Sequence, residues 1–330
     1  MGSELKAQIA TALDIQYEDG FNQSSGDRLI EQAIRLQIDN HGVQDINPHL
    51  TAAHMICRAM PQAESIDNFI DGHRDNTLIA DCGKLSIARC ILAAELASSM
   101  RVGIRDIYNN INFAELENTW YNAFFKTLVH GCQFSDMAER LSRVAIITFN
   151  YDRCIEHYLH SAFQNYYGVE VVEATELMRH LSIYHPYGYL GALRWEDTCR
   201  GIKFGAEVNA TQLREIAARI KTFTEGTDES HSEIIEIRST IKNANRVAYL
   251  GFAFNPQNLS LLYGNGATTS AATNSVVGTA YGLSPSDVEL IGSELAQLGG
   301  ATPENLKLRR DLTCEMLFHE FGRSLSLRKI

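Results

Sequence analysis

Apolar residues recur at helical spacing through about the first 140 positions of this chain, after which short apolar runs alternate with helices. Leu5, Ile9 and Leu13 share one face of a helix over 4–14, with Ser3 placed to cap its start. Leu29, Ile30, Ala33, Ile34 and Leu36 repeat the pattern over 25–39. Asn47-Pro48 opens a third helix that runs to Met60, because proline is tolerated in a first helical turn. Ser65 caps a short segment holding Ile66, Phe69 and Ile70. Residues 77–99 read as a long, strongly apolar helix carrying Lys84 and Glu95, and 115–131 as another with Trp120, Phe124, Phe125 and Leu128. Hardly any strand is expected in this region.

From Arg143 onward the pattern changes. Val144 to Phe149 runs into Asn150-Tyr151-Asp152, Leu181 to Tyr184 into His185-Pro186-Tyr187-Gly188, and Val247 to Leu250 into Gly251-Phe252-Ala253-Phe254-Asn255-Pro256. Such runs, without polar alternation, read as strands buried on both faces. Strands at 143–149, 181–184, 246–250 and 275–280 alternate with helices at 152–165, 209–223, 230–243, 256–262 and from Pro285. Thr302-Pro303 signals the start of a further helix, and Gly322 ends the last one. This alternation predicts an α/β fold with a parallel sheet and helices on both faces. Ligands bind outside the carboxyl ends of such strands, which would gather Asn150, His185 and Gly251 at one crevice. Taken singly, Asn150 also reads as the N-cap of the helix beginning at Asp152, and His185 as a structural histidine before proline. The Gly-, Ala-, Thr-, Ser- and Asn-rich stretch 263–274 reads as a surface loop.

Composition narrows the function classes. The 330 residues carry 29 basic and 40 acidic side chains, a formal charge of -11, which argues against broad nucleic-acid backbone binding by this chain alone. Lys307, Arg309, Arg310, Arg323 and Arg328 cluster near the C-terminus and read as a solvated helix face. The seven cysteines are scattered without a Cys-x-x-Cys pair, so no zinc site is expected, and Cys57 and Cys90 fit small buried hydrophobes in a reducing compartment. His157 and His160 stand three apart on one helix but lack a third metal ligand. No signal peptide or membrane-length apolar run is evident, so a cytoplasmic protein without membrane contact is expected.

Thr148-Phe149-Asn150-Tyr151-Asp152 resembles the Thr-x-Asn-x-Asp strand end of the sirtuin-like family, and His185 with Gly188 resembles its later His and Gly. Gly251-Phe252-Ala253-Phe254 is similar to that family's glycine turn under the nucleotide. Ser65-Ile66-Asp67-Asn68-Phe69 and Gly278-Thr279-Ala280-Tyr281-Gly282-Leu283 resemble its bacterial defence-associated branch. The resemblance spans nearly the whole chain and rests on the order and spacing of short motifs. The family's first strand and Gly-Ala-Gly-x-Ser phosphate loop normally precede a helix beginning much like Gly2-Ser3-Glu4-Leu5, where this chain starts. Either that stretch lies upstream or the pyrophosphate cradle is missing. The zinc module of protein-deacylating sirtuins is absent, and Phe149 stands where those enzymes carry Gln, which argues against peptide-lysine deacylation.

The resemblance implies a Rossmann-like core whose first helix is 1–14, a helical subdomain over 15–142, and the rest of the core over 143–330. It implies an NAD+ hydrolase that cleaves the nicotinamide–ribose bond to give nicotinamide and ADP-ribose, with NAD as substrate and no zinc. It further implies an NAD-depleting effector of antiphage defence, activated through a homo-oligomer or a partner such as a HerA-type ATPase or a phage protein. Asn150 and His185 would act on water and ribose, and Asp152 would support the nicotinamide or the loop. Thr148, Gly188, Gly251, Phe252 and Asn255 would contact the nucleotide. Asp67 and Glu95 read first as core or surface residues, and otherwise as lining the roof of the crevice. The competing expectation is a catalytically silent NAD- or ADP-ribose-binding sensor or assembly subunit, within a nucleic-acid-processing complex in one version.

Overall fold

The computed structural model describes residues 2–20, 22–40, 45–102, 110–226, 232–264, 275–299, 301–302 and 304–327. The fold is mixed α/β, with small parallel sheets. The chain divides into two compact units, interleaved along the sequence: Met1–Ile107, Thr148–His157 and His185–Gly226 form one, and Tyr108–Ile147, Tyr158–Tyr184 and Thr227–Ile330 the other.

In the first unit the helices Gly2–Leu13, Asn47–Ala59, Ile66–Gly72 and Ala210–Ala217 pack against the 21-residue helix Thr77–Ala97. That helix is apolar nearly all round. Its Ile79, Leu85, Ile87, Ala88 and Leu92 are buried, which only a helix surrounded by neighbours can manage. Its start is fixed by Asn76, whose side chain accepts from the Leu78 amide at 3.2 Å, and Ser65 caps the preceding helix through the Asn68 amide at 3.0 Å. Asp27 caps the helix Arg28–Asn40, accepting from the Leu29 and Ile30 amides. A short antiparallel hairpin, β1 (Gln16–Glu18) with β2 (Asn22–Ser25), interrupts the helices. Asp19 and Gly20 turn it with φ of 54° and 76°. Asp-Gly is a hairpin signal, and here it joins two polar strands without an apolar alternation.

In the second unit β3 (Ala145–Ile147) pairs in parallel with β4 (Ser182–Tyr184). A separate parallel sheet runs in the order β5 (Arg246–Tyr249), β6 (Ser275–Thr279), β7 (Leu306–Arg309). β6 is central and its Val276 and Val277 are buried, as an apolar run without alternation requires. The helices Pro285–Gly299 and Cys314–Glu320 lie on β7 and β6 respectively, and a cluster of Phe125, Tyr158, Phe163 and Tyr166 rings packs elsewhere in the unit.

Two expectations fail here. The helix expected from Thr302-Pro303 is instead strand β7, because Leu306 and Leu308 alternate with Lys307 and Arg309 at a period of two. The C-terminal basic residues therefore do not share a solvated helix face. Arg309 pairs with Asp311 at 2.7 Å and Glu320 at 3.1 Å, and Arg310 donates to the Leu283 carbonyl at 2.6 Å. Arg328, and residues 265–274 of the expected 263–274 loop, lie outside the described residues. Cys90 is buried as expected, whereas Cys57 is only half-buried.

The most enclosed polar contact in the first unit joins Arg153 to Glu95. Their side chains are 0% and 1% exposed, with Nη2 donating to Oε2 at 2.5 Å and Nε to Oε1 at 3.0 Å. Removing one member of such a pair strands the other charge in the core. Arg153→Met should lower unfolding free energy by about 3–5 kcal/mol, while Arg153→Met combined with Glu95→Leu should be more stable than either single change. Urea unfolding followed by circular dichroism reads this directly; additive losses in the double variant would contradict it.

Candidate active site

Beyond β3 the chain alternates between buried and displayed residues. Thr148 Oγ1 accepts from the Asn150 amide at 3.2 Å, a local turn that sets the loop's direction. Asn150 is exposed. Tyr151 is buried and its hydroxyl donates to Asp67 Oδ1, while its carbonyl accepts from the Leu190 amide at 3.1 Å. Asp152 Oδ1 accepts from the Cys154 amide at 3.0 Å at the start of the helix Cys154–Tyr167, so the cap is Asp152 and the Asn150 side chain is left for other work. Arg153 is buried again, on Glu95 and on the Ile202 carbonyl at 2.9 Å. Asp67 and Glu95, candidates for a crevice roof, thus hold the two buried members of the Asn150 loop.

The Tyr151–Asp67 contact lies out of water. Burial raises the Tyr151 hydroxyl well above its usual range, and the Asp67 charge and hydrogen bond raise it further. Burial likewise raises the Asp67 carboxyl, against the lowering effect of the bond from Tyr151.

His185 follows β4 in the chain. Its Nε2 lies 2.6 Å from Glu156 Oε1, its Nδ1 3.4 Å from the Asn150 carbonyl, and its ring stacks on Tyr189 with centroids 4.4 Å apart. His185 is 7% exposed and Glu156 3%. Burial alone would lower the His185 pKa. The hydrogen bond and charge of Glu156, the Asn150 carbonyl and the Asp152 charge outweigh it, and the net shift is upward from 6.5. Glu156 was not singled out by sequence reasoning. The available signal was a carboxylate on the apolar stripe of its helix, three and seven positions before Leu159 and Phe163.

The structure brings Thr148, Asn150, Asp152, His185 and Gly188 into one compact unit; Gly251, Phe252 and Asn255 belong to the other. Gly188 is accounted for by its backbone: φ is 72°, and a Cβ there would sit 2.0 Å from the Arg219 carbonyl oxygen, where the Lys221 amide bonds the Tyr187 carbonyl at 2.9 Å. Gly251 is exposed with φ of 59°, and its amide donates to Thr279 Oγ1 at 2.8 Å. Asn255 caps the helix Pro256–Tyr263 through the Gln257 amide at 2.9 Å, and Phe252 packs on Tyr249 and Phe254.

His157 and His160 each have their own partner. His157 Nε2 must be the protonated nitrogen, since it faces the Met100 carbonyl at 3.0 Å, and burial among Phe204 and its neighbours pushes its pKa down to about 4. His160 bonds Thr175 at 3.1 Å. Among the described residues no group of three or more His, Cys, Asp or Glu side chains is arranged to hold a metal ion, and no helix is long and apolar enough to cross a membrane. An open groove of about 480 Å³ in the second unit is lined by Val288, Gly292, Leu306, Lys307, Arg309 and Phe321. None of the sequence-derived site residues lines it.

The upward shift of His185 has a consequence for stability. A histidine whose folded pKa exceeds the unfolded value of about 6.5 stabilises the fold fully below that pH, and the contribution disappears as pH rises through the folded pKa. The excess urea midpoint of the wild type over His185→Asn should therefore be largest in acid and shrink on going alkaline. A gap that is constant with pH would show that the imidazole does not titrate as described.

No protein-family model matches the chain, and no curated protein or solved structure matches it.

Proposed function

We propose that the chain is an NAD+ hydrolase of sirtuin-like, Rossmann-like architecture that releases nicotinamide and ADP-ribose. The observation that carries this reading is the display of Asn150 on a loop held from both sides, by Tyr151 on Asp67 and Arg153 on Glu95, with its carbonyl against the His185 ring.

Breaking the nicotinamide–ribose bond passes through an oxocarbenium-like state in which water attacks the anomeric carbon, as in other glycosidic hydrolyses. A side-chain amide donates and accepts at once, so the exposed Asn150 suits both the attacking water and a ribose hydroxyl. An imidazole poised to take a proton suits His185 as base toward that hydroxyl. Asp152 supports the loop by capping the following helix. In this reading the protein is cytoplasmic and depletes NAD in antiphage defence as a homo-oligomer or with a partner, a HerA-type ATPase or a phage protein as trigger.

One feature favours a second reading, an NAD- or ADP-ribose-binding subunit without catalysis. Both ring nitrogens of His185 face oxygen acceptors, at 2.6 and 3.4 Å, so its resting form is occupied. The test is nicotinamide release from NAD by purified protein. Asn150→Ala should lower turnover by about 100-fold or more, the usual loss on removing one preorganised donor at a developing charge. Full activity in that variant refutes the mechanism. Calorimetric binding of NAD with no product over hours supports the silent subunit instead.

A further inference from the structure

We propose that Glu156 is the positioning residue of this site, its buried carboxylate fixing the tautomer and orientation of His185 and balancing the charge that the ring takes up. Its kinetic consequence rests on the hydrolase reading; its geometry does not.

A carboxylate offers only acceptors, so Nε2, 2.6 Å from Glu156 Oε1, must carry a proton. In the neutral ring the lone pair then falls on Nδ1. That nitrogen is held only by a long 3.4 Å contact to the Asn150 carbonyl, itself an acceptor, so a neutral ring sets two lone pairs against each other. Protonation at Nδ1 relieves the conflict, and Glu156 lies opposite to stabilise the cation. Nδ1 is thus the nitrogen that takes a proton from a substrate hydroxyl. The O–H bond breaks, the N–H bond forms, and the new positive charge faces a negative one across the ring, the logic by which a buried acid orients a catalytic histidine.

Glu156 has the features such a role needs and a purely structural carboxylate lacks. It is 3% exposed, yet its Oε2 is buried without a hydrogen-bond partner among the described residues. Buried structural carboxylates normally have both oxygens satisfied, as Glu95 does on Arg153. Leaving one bare costs stability that only function repays. Tyr189 stacks on the ring and fixes its plane, which leaves Glu156 to fix its rotation. The charged groups facing His185 are Glu156 and Asp152, with Glu196 farther off.

The test uses the full chain with Glu156→Gln, which keeps shape and removes charge, and Glu156→Asp, which keeps charge and withdraws it by one methylene. The titration of the His185 ring, assigned by its loss in His185→Asn, is followed by nitrogen-15 NMR without any substrate. Its midpoint should lie above 6.5 in the wild type, lowest in Glu156→Gln and between the two in Glu156→Asp. In nicotinamide release, Glu156→Gln should lose about 100-fold in kcat with KM within about threefold, and Glu156→Asp should recover part. The acid limb of kcat/KM should move to lower pH in Glu156→Gln. Loss of activity with that limb unmoved would mark a merely structural residue and overturn the proposal, as would an unshifted NMR midpoint. A wild type that releases no nicotinamide, but whose His185 midpoint falls in Glu156→Gln, would refute the hydrolase reading and leave the pairing standing.

Discussion

The buried pair of Arg153 and Glu95 constrains the rest of the first unit. An arginine with its guanidinium wholly removed from water must find an acceptor for its charge and for its remaining N–H groups. Arg153 finds the first on the helix Thr77–Ala97 and the second on the Ile202 and Gly191 carbonyls, while Glu95 also accepts from the Gly205 amide at 3.3 Å. Three stretches far apart in sequence are therefore tied at one point: a long apolar helix, the loop after β3, and the chain beyond His185. None can shift without exposing a charge to an apolar interior, so the segment carrying Asn150 is stiffer than its loop character would suggest.

The site chemistry follows from that stiffness. With residues 151 and 153 turned inward on Asp67 and Glu95, the backbone has no choice but to present 150 outward and to leave its carbonyl against His185. One turn into the next helix, Glu156 reaches the same imidazole. An exposed amide thus stands beside an imidazole backed by a carboxylate, one of whose oxygens is buried without a hydrogen-bond partner among the described residues.

Much of the architecture was legible because its signals are local. The helix cap at Ser65, the Pro48 and Pro285 starts, and the apolar runs of β3 to β6 follow from residue type and period alone. The misses share a cause. β7 hides its two-residue alternation behind two basic side chains that also suit a helix face. The first hairpin hides in polar residues whose only mark is Asp19-Gly20. At the site, sequence order named Asn150, Asp152 and His185 but left open whether Asn150 caps the next helix; Asp152 accepts from the Cys154 amide there instead. Glu156 was invisible because burial of a carboxylate is decided by what packs on it, and the Arg219 carbonyl that requires a glycine at 188 lies far along the chain.

The central claim is that the Arg153–Glu95 contact holds the Asn150 loop and the chain beyond His185 together as one stiff element. Hydrogen exchange by mass spectrometry, comparing the wild type with Glu95→Gln, tests it most directly. Faster exchange confined to 148–157 and 190–205, with the helix Asn47–Ala59 and strands β5 to β7 unchanged, is the expected result. Unchanged exchange in those two segments, or a uniform rise across the chain, would contradict the account.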